Sequence, residues 1–273
     1  MICFLTFLIT IIKDTTVYMK FREYIETHHV FTSTVLTDVC GNAASVKTAL
    51  SRAVADGKVF KVRNGLYVSD TGRFVGVAAN PYAVAAAFAP DALFSYHSAL
   101  ELHGLAHSVS RRVQFCSGSS RLSFSFHGTD FERYPTRDKA TTDTVRADSF
   151  GSVSVTSREQ TFIDCMAHMR LCSGAEEVLH SLAGLPYLDL KILSGLLEEQ
   201  PTSVVARAGW YLEANAERWS VTVDYLEALH GSLPAKASYY LDSTSRKQAQ
   251  TFAARWKLNL PVSLSELESW MEL

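Results

Sequence analysis

Basic, hydroxyl and amide side chains are concentrated between residues 45 and 64, a combination that suits contact with nucleic acid. This stretch holds five cations against one carboxylate, Asp56. Lysine and arginine neutralise phosphates, whereas side chains near the start of a helix can reach base edges in the major groove of DNA. The candidate DNA-binding residues are Ser45, Lys47, Thr48, Ser51, Arg52, Lys58, Lys61, Arg63 and Asn64.

A helix followed by a β-hairpin would position these side chains. Apolar residues recur at helical spacing and predict a buried stripe opposite the polar residues, made of Val46, Ala49, Leu50, Ala53 and Val54. Asp56-Gly57 predicts the end of this helix, with Gly57 in the left-handed conformation. Two β-prone runs follow, Val59–Val62 and Leu66–Val68, and the Asn64-Gly65 pair between them is a strong hairpin signal.

Two further helices are expected upstream of this segment. Apolar spacing predicts a helix over Lys20–Glu26 and a short one over Thr34–Val39, capped by Ser33. Cys40-Gly41-Asn42 would form the turn, and Ser45 is a candidate cap for the next helix. Helix, short helix, turn, helix and hairpin are typical of a winged helix-turn-helix DNA-binding domain, which we assign to residues 19–75. The alternative is a winged helix that contacts protein.

Residues 80–273 predict a larger, mixed α/β domain, so the fold class is α+β. Pro81 is suited to the first position of a helix that extends to Phe88. Residues 111–155 look rich in strand, and the chain from Ala175 onwards is predominantly helical. Within the strand-rich part, the polar stretch Gly128–Asp148 is predicted as an exposed connection or hairpin edge. Cations of this stretch, among them Arg133, Arg137 and Lys139, would add a second basic patch or be solvated.

Composition and the N-terminus favour a globular cytoplasmic protein. The net charge is −2, so positive charge is expected on one face rather than over the whole surface. Five cysteines without a CxxC pair fit reduced thiols better than disulfides. The apolar run at the start is shorter than the roughly 20 residues that span a bilayer. We interpret residues 1–18 as an apolar leader that forms an extra strand or helix packed on the body, or as translated sequence upstream of a natural start at Met19. We expect no membrane partner.

Several groups of residues could form a metal or catalytic site, but for each of them a structural role is favoured. His28-His29 lacks a third ligand nearby, and Gly104 would break the helix between His103 and His107. A set of soft ligands shares a helical face, but one helix rarely closes a zinc site; the set is Cys165, His168 and Cys172. A nuclease would need clustered carboxylates with a nearby lysine, and no such motif is found. We therefore expect no metal, no cofactor and no enzymatic activity.

Four motifs in order resemble the AbiEi-type antitoxins, the regulators of type IV toxin–antitoxin systems. They are ALSRAVADGKVFKVRNGLYV (49–68), SYHSALELHGL (95–105), VTSREQTFIDCM (155–166) and VARAGWYLE (205–213). None is specific alone, and the resemblance covers most of the chain from Met19 to about Asn215. In the third motif Gln160 replaces the arginine usual in that family, so the role of that arginine is in doubt here.

The resemblance implies a DNA-binding repressor with an antitoxin domain, acting in phage defence. The first domain would bind inverted repeats in double-stranded promoter DNA and repress its own operon. The second would neutralise a cognate nucleotidyltransferase toxin encoded by the adjacent gene. A palindromic operator would engage two modules, from a dimer or from two monomers. The alternatives are a winged-helix regulator whose second domain is a nuclease, and a purely protein-binding module.

Overall fold

The computed structural model describes residues 16–120, 122–137, 139–146 and 151–272. The chain is mixed α+β and divides into two compact units, one ending at Asp91 and the other beginning at Ala92. This division lies after the expected boundary at residues 75–80, because the helix Pro81–Phe88 packs on a strand of the first unit. Of the predicted leader, residues 1–15 lie outside the described chain. In the described ranges, no helix has both the length and the apolar character needed to span a bilayer.

From residue 16 onwards, the first unit contains four helices and a three-stranded antiparallel sheet with the order β1-β3-β2. A 3-10 turn at Gly72–Phe74 precedes the last helix. In chain order, the helices and strands are α1 (residues 16–27), β1 (Val30–Thr32), α2 (Ser33–Cys40), α3 (Ala43–Ala55), β2 (Val59–Arg63), β3 (Leu66–Ser69) and α4 (Pro81–Phe88).

The core of the first unit lies between α1, α2, α3 and the sheet. Leu36 and Val46 are fully buried there with Phe21 and Ile25 of α1. The predicted apolar stripe of α3 is largely confirmed, since Val46, Leu50 and Ala53 are buried. Val54 is the exception, since 37% of it is exposed. Thr32, rather than Ser33, caps α2 by accepting a hydrogen bond from the N–H of Val35.

The second unit is built on a six-stranded mixed sheet with the order β6-β7-β5-β4-β9-β8 and on a helical body. The sheet-forming part comprises β4 (Leu93–Phe94), α5 (His97–Leu102), β5 (Arg112–Cys116), β6 (Phe124–Phe126), β7 (Thr129–Tyr134), β8 (Thr142–Arg146) and β9 (Ser152–Thr156). The rest comprises α6 (Arg158–Ala167), α7 (Ala175–Ala183), α8 (Leu190–Glu198), α9 (Thr202–Ala214), α10 (Val223–Gly231), β10 (Tyr239–Tyr240), α11 (Ser243–Lys247), β11 (Thr251–Ala253), β12 (Leu258–Leu260) and α12 (Leu264–Ser269). A 3-10 turn, Met169–Cys172, links α6 to α7, and β10, β12 and β11 form a second small sheet.

The stretch Gly128–Asp148 contains strands β7 and β8, which corrects the prediction of an exposed connection. Strand β7 lies inside the sheet between β6 and β5, and Phe131 on it is buried. Strand β8 forms a hairpin edge against β9, as the other interpretation anticipated. The three cations named above have partners within the second unit: Arg133 donates to the carbonyl of Ser117, Arg137 binds Asp164, and Lys139 binds Glu199. Arg133 and Arg137 are therefore unsuited to a second basic patch, whereas the Lys139–Glu199 pair is exposed.

The residues considered above as metal ligands have different surroundings in the structure. Cys165 and Cys172 are buried with their Sγ atoms 3.6 Å apart, whereas His168 is exposed at the end of α6. His103 contacts the carbonyl oxygen of Thr156 through Nε2 at 2.7 Å, and Gly104 after it has a φ of +69°. Among the described residues, no three His, Cys, Asp or Glu side chains converge in a way that could hold a metal ion.

Candidate nucleic-acid interface

Helix α3 begins at Ala43 and is capped by Asn42, not by Ser45. The Asn42 side chain accepts a hydrogen bond from the N–H of Ser45 at 3.1 Å. Ser45 thus lies in the first turn, where its own side chain is half-buried. Asparagine and serine are both favoured caps, and Asn42 takes the position because Gly41 before it ends α2 with a φ of +76°. The start of α3 is therefore three residues closer to α2 than a Ser45 cap would put it.

The polar face of α3 is exposed, as predicted. Its exposed side chains are Lys47, Thr48, Ser51 and Arg52. The Thr48 hydroxyl donates to the carbonyl of Ala44, and the Ser51 hydroxyl donates to that of Lys47. These hydroxyl oxygens can still accept hydrogen bonds. Among the described residues, neither Lys47 nor Arg52 forms a salt bridge. The ammonium group of Lys47 and the guanidinium group of Arg52 are therefore open to an external anion.

The predicted hairpin after α3 is present and is tied to α2. Gly57 follows the helix with a φ of +70°, and strands β2 and β3 then pair with an irregular register between Lys61 and Arg63. In the Asn64-Gly65 turn only Gly65 has a positive φ, +82°, so the turn is not the type I′ form that needs positive values at both positions. The carbonyl of Gly65 accepts a hydrogen bond from the N–H of Ser33 at 2.9 Å, which fixes the turn against the start of α2.

The cations of the hairpin have different surroundings. Lys61 is exposed, and Lys58 lies 3.5 Å from the Asp56 carboxylate in a surface pair with both side chains 58% exposed. Such exposed pairs contribute little, so Lys58 can exchange this partner for a phosphate. Arg63 is half-buried, and its guanidinium lies 5.5 Å from the centre of the Phe88 ring of α4. Lys61 is therefore the hairpin cation best placed to meet an external anion, and a change at Arg63 would also disturb its contact with Phe88.

A groove of about 570 Å³ lies between α3, α2 and the hairpin. Lys47 and Ser51 of α3 line it together with Lys61 of β2, so the helix and the hairpin contribute cations to one concave surface. Sequence reasoning missed Thr37 and Tyr67, which also line the groove from α2 and β3. The polar stripe of α2 could have indicated Thr37, but the position of Tyr67 depends on the pairing of β3 with β1, which was not predicted.

No family model matches this chain, and no curated protein matches it. Among solved structures, the chain is similar to the crystal structure of the Rv2827c protein from Mycobacterium tuberculosis, with a TM-score of 0.65 at 13% sequence identity. The similarity covers 93% of this chain and 94% of the other. It shows that the mixed α+β fold of the whole chain, both units included, also occurs in a crystal structure.

Proposed function

We propose that the first unit is a winged helix-turn-helix domain that binds double-stranded DNA, with α3 as the recognition helix and the β2–β3 hairpin as the wing. The supporting observation is the groove in which Lys47 and Ser51 of α3 share one concave surface with Lys61 of the hairpin. Lys47 and Thr48 are exposed in the second turn of α3 and would contact base edges, whereas Lys58 and Lys61 would neutralise phosphates.

In this proposal the protein represses its own operon and acts as an antitoxin. The order of the four motifs, which resembles AbiEi-type antitoxins, supports this assignment. The second unit, from Ala92 onwards, would neutralise a nucleotidyltransferase toxin encoded by the adjacent gene. Two modules would bind the two halves of an inverted repeat. The DNA-binding half of the proposal has structural support in the groove, and the toxin half has support from the resemblance.

Fluorescence anisotropy tests the DNA-binding half. The full chain is titrated with the duplex immediately upstream of its gene and with a scrambled duplex of the same composition, over a series of salt concentrations. We expect tighter binding to the upstream duplex and a logarithmic salt slope corresponding to several phosphate contacts. Equal and weak binding to both duplexes would reject a sequence-specific repressor and favour a protein-binding role for the first unit.

Charge-removing variants locate the interface. Lys61→Ala should weaken binding to both duplexes and reduce the salt slope by about one, because one phosphate contact is lost. Lys47→Ala should instead reduce the preference for the upstream duplex, since a base contact is lost. Lys191→Ala removes the same charge from an exposed site on α8 and serves as the matched control. An unchanged slope for Lys61→Ala would remove Lys61 from the interface.

A further inference from the structure

A second concave site lies within the second unit, far in sequence from the groove of α3. It is a cleft of about 1030 Å³ between the 3-10 turn that follows α6, the start of α9, and the segment from β10 to α11. Four arginines from four different elements line this cleft. They are Arg112 of β5, Arg170 of the 3-10 turn, Arg207 of α9 and Arg246 of α11.

The charge of the cleft contrasts with that of the whole chain. With His168 counted as neutral, four arginines and the single carboxylate of Asp242 give the cleft a net charge of +3, obtained as 4 − 1, whereas the chain carries −2. Asp242 already accepts hydrogen bonds from the N–H and the hydroxyl of Ser245, and so caps α11. A concave surface with an excess of one charge concentrates ligands of the opposite charge.

The cleft arginines also differ from other cations of the second unit. Arg137, Lys139 and Arg255 each form a salt bridge with a carboxylate. Within the described residues, none of the four cleft arginines does so. The guanidinium of Arg207 donates to the carbonyls of Tyr240 and Met166, and that of Arg246 lies 6.0 Å from the centre of the Tyr240 ring. Arg112, Arg170 and Arg246 therefore keep donors for an external anion.

Two helices begin at the wall of the cleft without a side-chain cap. Helix α9 has Pro201 as its N-cap residue and Ser203 in its first turn lines the cleft, while Gly174 precedes α7 and also lines it. The N–H groups of a helix start and its dipole favour an anion. Glu176 and Glu177 in the first turn of α7 oppose this effect at that helix, but neither of them lines the cleft. The start of α9, which has no acidic residue in its first turn, is therefore the helix start better suited to support an anion held by the arginines.

We propose that this cleft binds a small organic polyphosphate of nucleotide size, with Arg112, Arg170 and Arg246 on its phosphates. Arginine suits phosphate because its planar fork can donate two parallel hydrogen bonds. The volume exceeds that needed for one phosphate and matches the upper end of small-molecule sites. Tyr239 and Tyr240 supply aromatic surface against which a base can stack. The four arginines line one concave cleft from separate elements, which favours a compact ligand over an extended nucleic-acid backbone.

Isothermal titration calorimetry of the full chain tests this proposal with three probes. ATP carries base and phosphates, inorganic tripolyphosphate carries phosphates alone, and adenosine carries the base alone. We expect ATP to bind with a Kd below about 100 µM, tripolyphosphate to bind more weakly, and adenosine to give no signal up to about 1 mM. Absence of ATP binding at about 1 mM would overturn the proposal, as would equal binding of ATP and adenosine.

Two variants and two controls assign the binding to the cleft. Arg170→Ala and Arg246→Ala should each weaken ATP binding about tenfold, because each removes a charge-assisted hydrogen bond from an exposed side chain. Arg158→Ala is the matched control for Arg246→Ala, since Arg158 also stacks on a tyrosine, Tyr187 at 5.0 Å, but lies outside the cleft lining. Lys61→Ala controls for binding of ATP to the first unit. Unchanged affinity in both cleft variants would overturn the assignment.

A last comparison separates a small ligand from nucleic acid. A twelve-nucleotide single-stranded RNA without terminal phosphates is titrated against the same proteins. If this RNA binds more tightly than ATP and loses affinity in Arg170→Ala, the cleft follows a nucleic-acid backbone and the proposed small ligand is rejected. If the RNA binds more weakly than ATP, the compact ligand is supported. Neither result depends on whether the first unit binds promoter DNA.

Discussion

Asp164 shows how one buried charge is supported by residues that are far apart in sequence. Its carboxylate is 2% exposed and accepts two hydrogen bonds of 2.6 Å from the Arg137 guanidinium, and a third from the Gln160 side chain at 2.9 Å. Burial alone would lower the pKa of Arg137, but the contacts with Asp164 outweigh it and raise the pKa. Gln160 lies one turn before Asp164 on α6, whereas Arg137 precedes strand β8.

Removal of Arg137 should destabilise the second unit. Arg137→Ala leaves a buried, uncompensated carboxylate, so we expect the free energy of unfolding to fall by about 3 kcal/mol. Adding Asp164→Asn to the same chain should recover part of this loss, because the neutral amide carries no charge to be desolvated. Urea unfolding of the two single variants and of the double variant measures the coupling. Strictly additive losses would mean that the pair does not act as a unit.

Glu177 is a second buried carboxylate, held by donors of the α5–β5 connection and of its own helix. Its Oε1 accepts hydrogen bonds from the N–H groups of His107 and Ser108 and from the hydroxyl of Ser181, and His97 Nε2 lies 3.3 Å away. Burial would raise the pKa of Glu177, but these hydrogen bonds and His97 outweigh burial, so the pKa lies below its ordinary value of 4.5. The fold therefore favours the charged form.

A depressed pKa fixes the sign of a pH effect on stability. The contribution of Glu177 is complete above pH 4.5, its unfolded value, and is lost as the pH falls through the lower folded value. Glu177→Gln should thus reduce the free energy of unfolding at pH 7 by about 1–3 kcal/mol, and the difference from the parent should shrink below about pH 4. Urea unfolding at both pH values measures this. A difference that grows in acid would contradict the assignment.

At the scale of elements, α9 is fixed to the C-terminal part of the chain by a glycine. A Cβ at Gly209 would lie 2.0 Å from the Trp256 ring, so no larger residue fits unless the ring moves. The indole N–H of Trp256 donates to the Glu213 carboxylate one turn further along α9, and Arg255 binds the same carboxylate. Two residues of the VARAGWYLE motif, Gly209 and Glu213, thus serve this helix contact.

The glycine contact gives a prediction with an internal control. Gly209→Ala should lower the melting temperature and cost about 1–3 kcal/mol or more, because the Trp256 ring is fully buried and has little room to move. Gly195→Ala, in the middle of α8 with open space around it, should raise stability by about 0.5–1 kcal/mol through helix propensity alone. Thermal unfolding followed by circular dichroism compares the two. Equal effects of both substitutions would refute the packing argument.

The elements that the sequence predicted well are those with strong local signals. The α3 pattern, the Asn-Gly hairpin and Pro81 at the start of α4 each depend on neighbours in sequence, and the structure contains all three.

The elements that were missed depend on long-range contacts or lack a clear local pattern. Strand β1 has three residues and β4 has two, which is too short for a visible alternation, so long-range pairing defines them. Strand β7 was missed because charged residues alternate with its buried Phe131. The arginine cleft was missed because its residues are separated by up to 134 positions, obtained as 246 − 112.

At the scale of the whole molecule, the two units carry different candidate sites. The groove of α3 belongs to the unit that ends at Asp91, and the arginine cleft belongs to the unit that begins at Ala92. Their side chains do not overlap, so substitutions at one site should leave the other intact. If the protein is an antitoxin that also represses its operon, the two activities should be separable by substitution.

The double variant K47A/K61A tests this separation. Both lysines are exposed on the groove, so their loss should abolish preferential binding to the upstream duplex without affecting the fold. The variant and the parent are each produced from a constitutive promoter, which removes repression as a variable, in cells that express the adjacent nucleotidyltransferase gene. We expect both proteins to restore growth equally. Loss of protection together with loss of DNA binding would instead mean that the first unit itself contacts the toxin, because no operator is present in this assay.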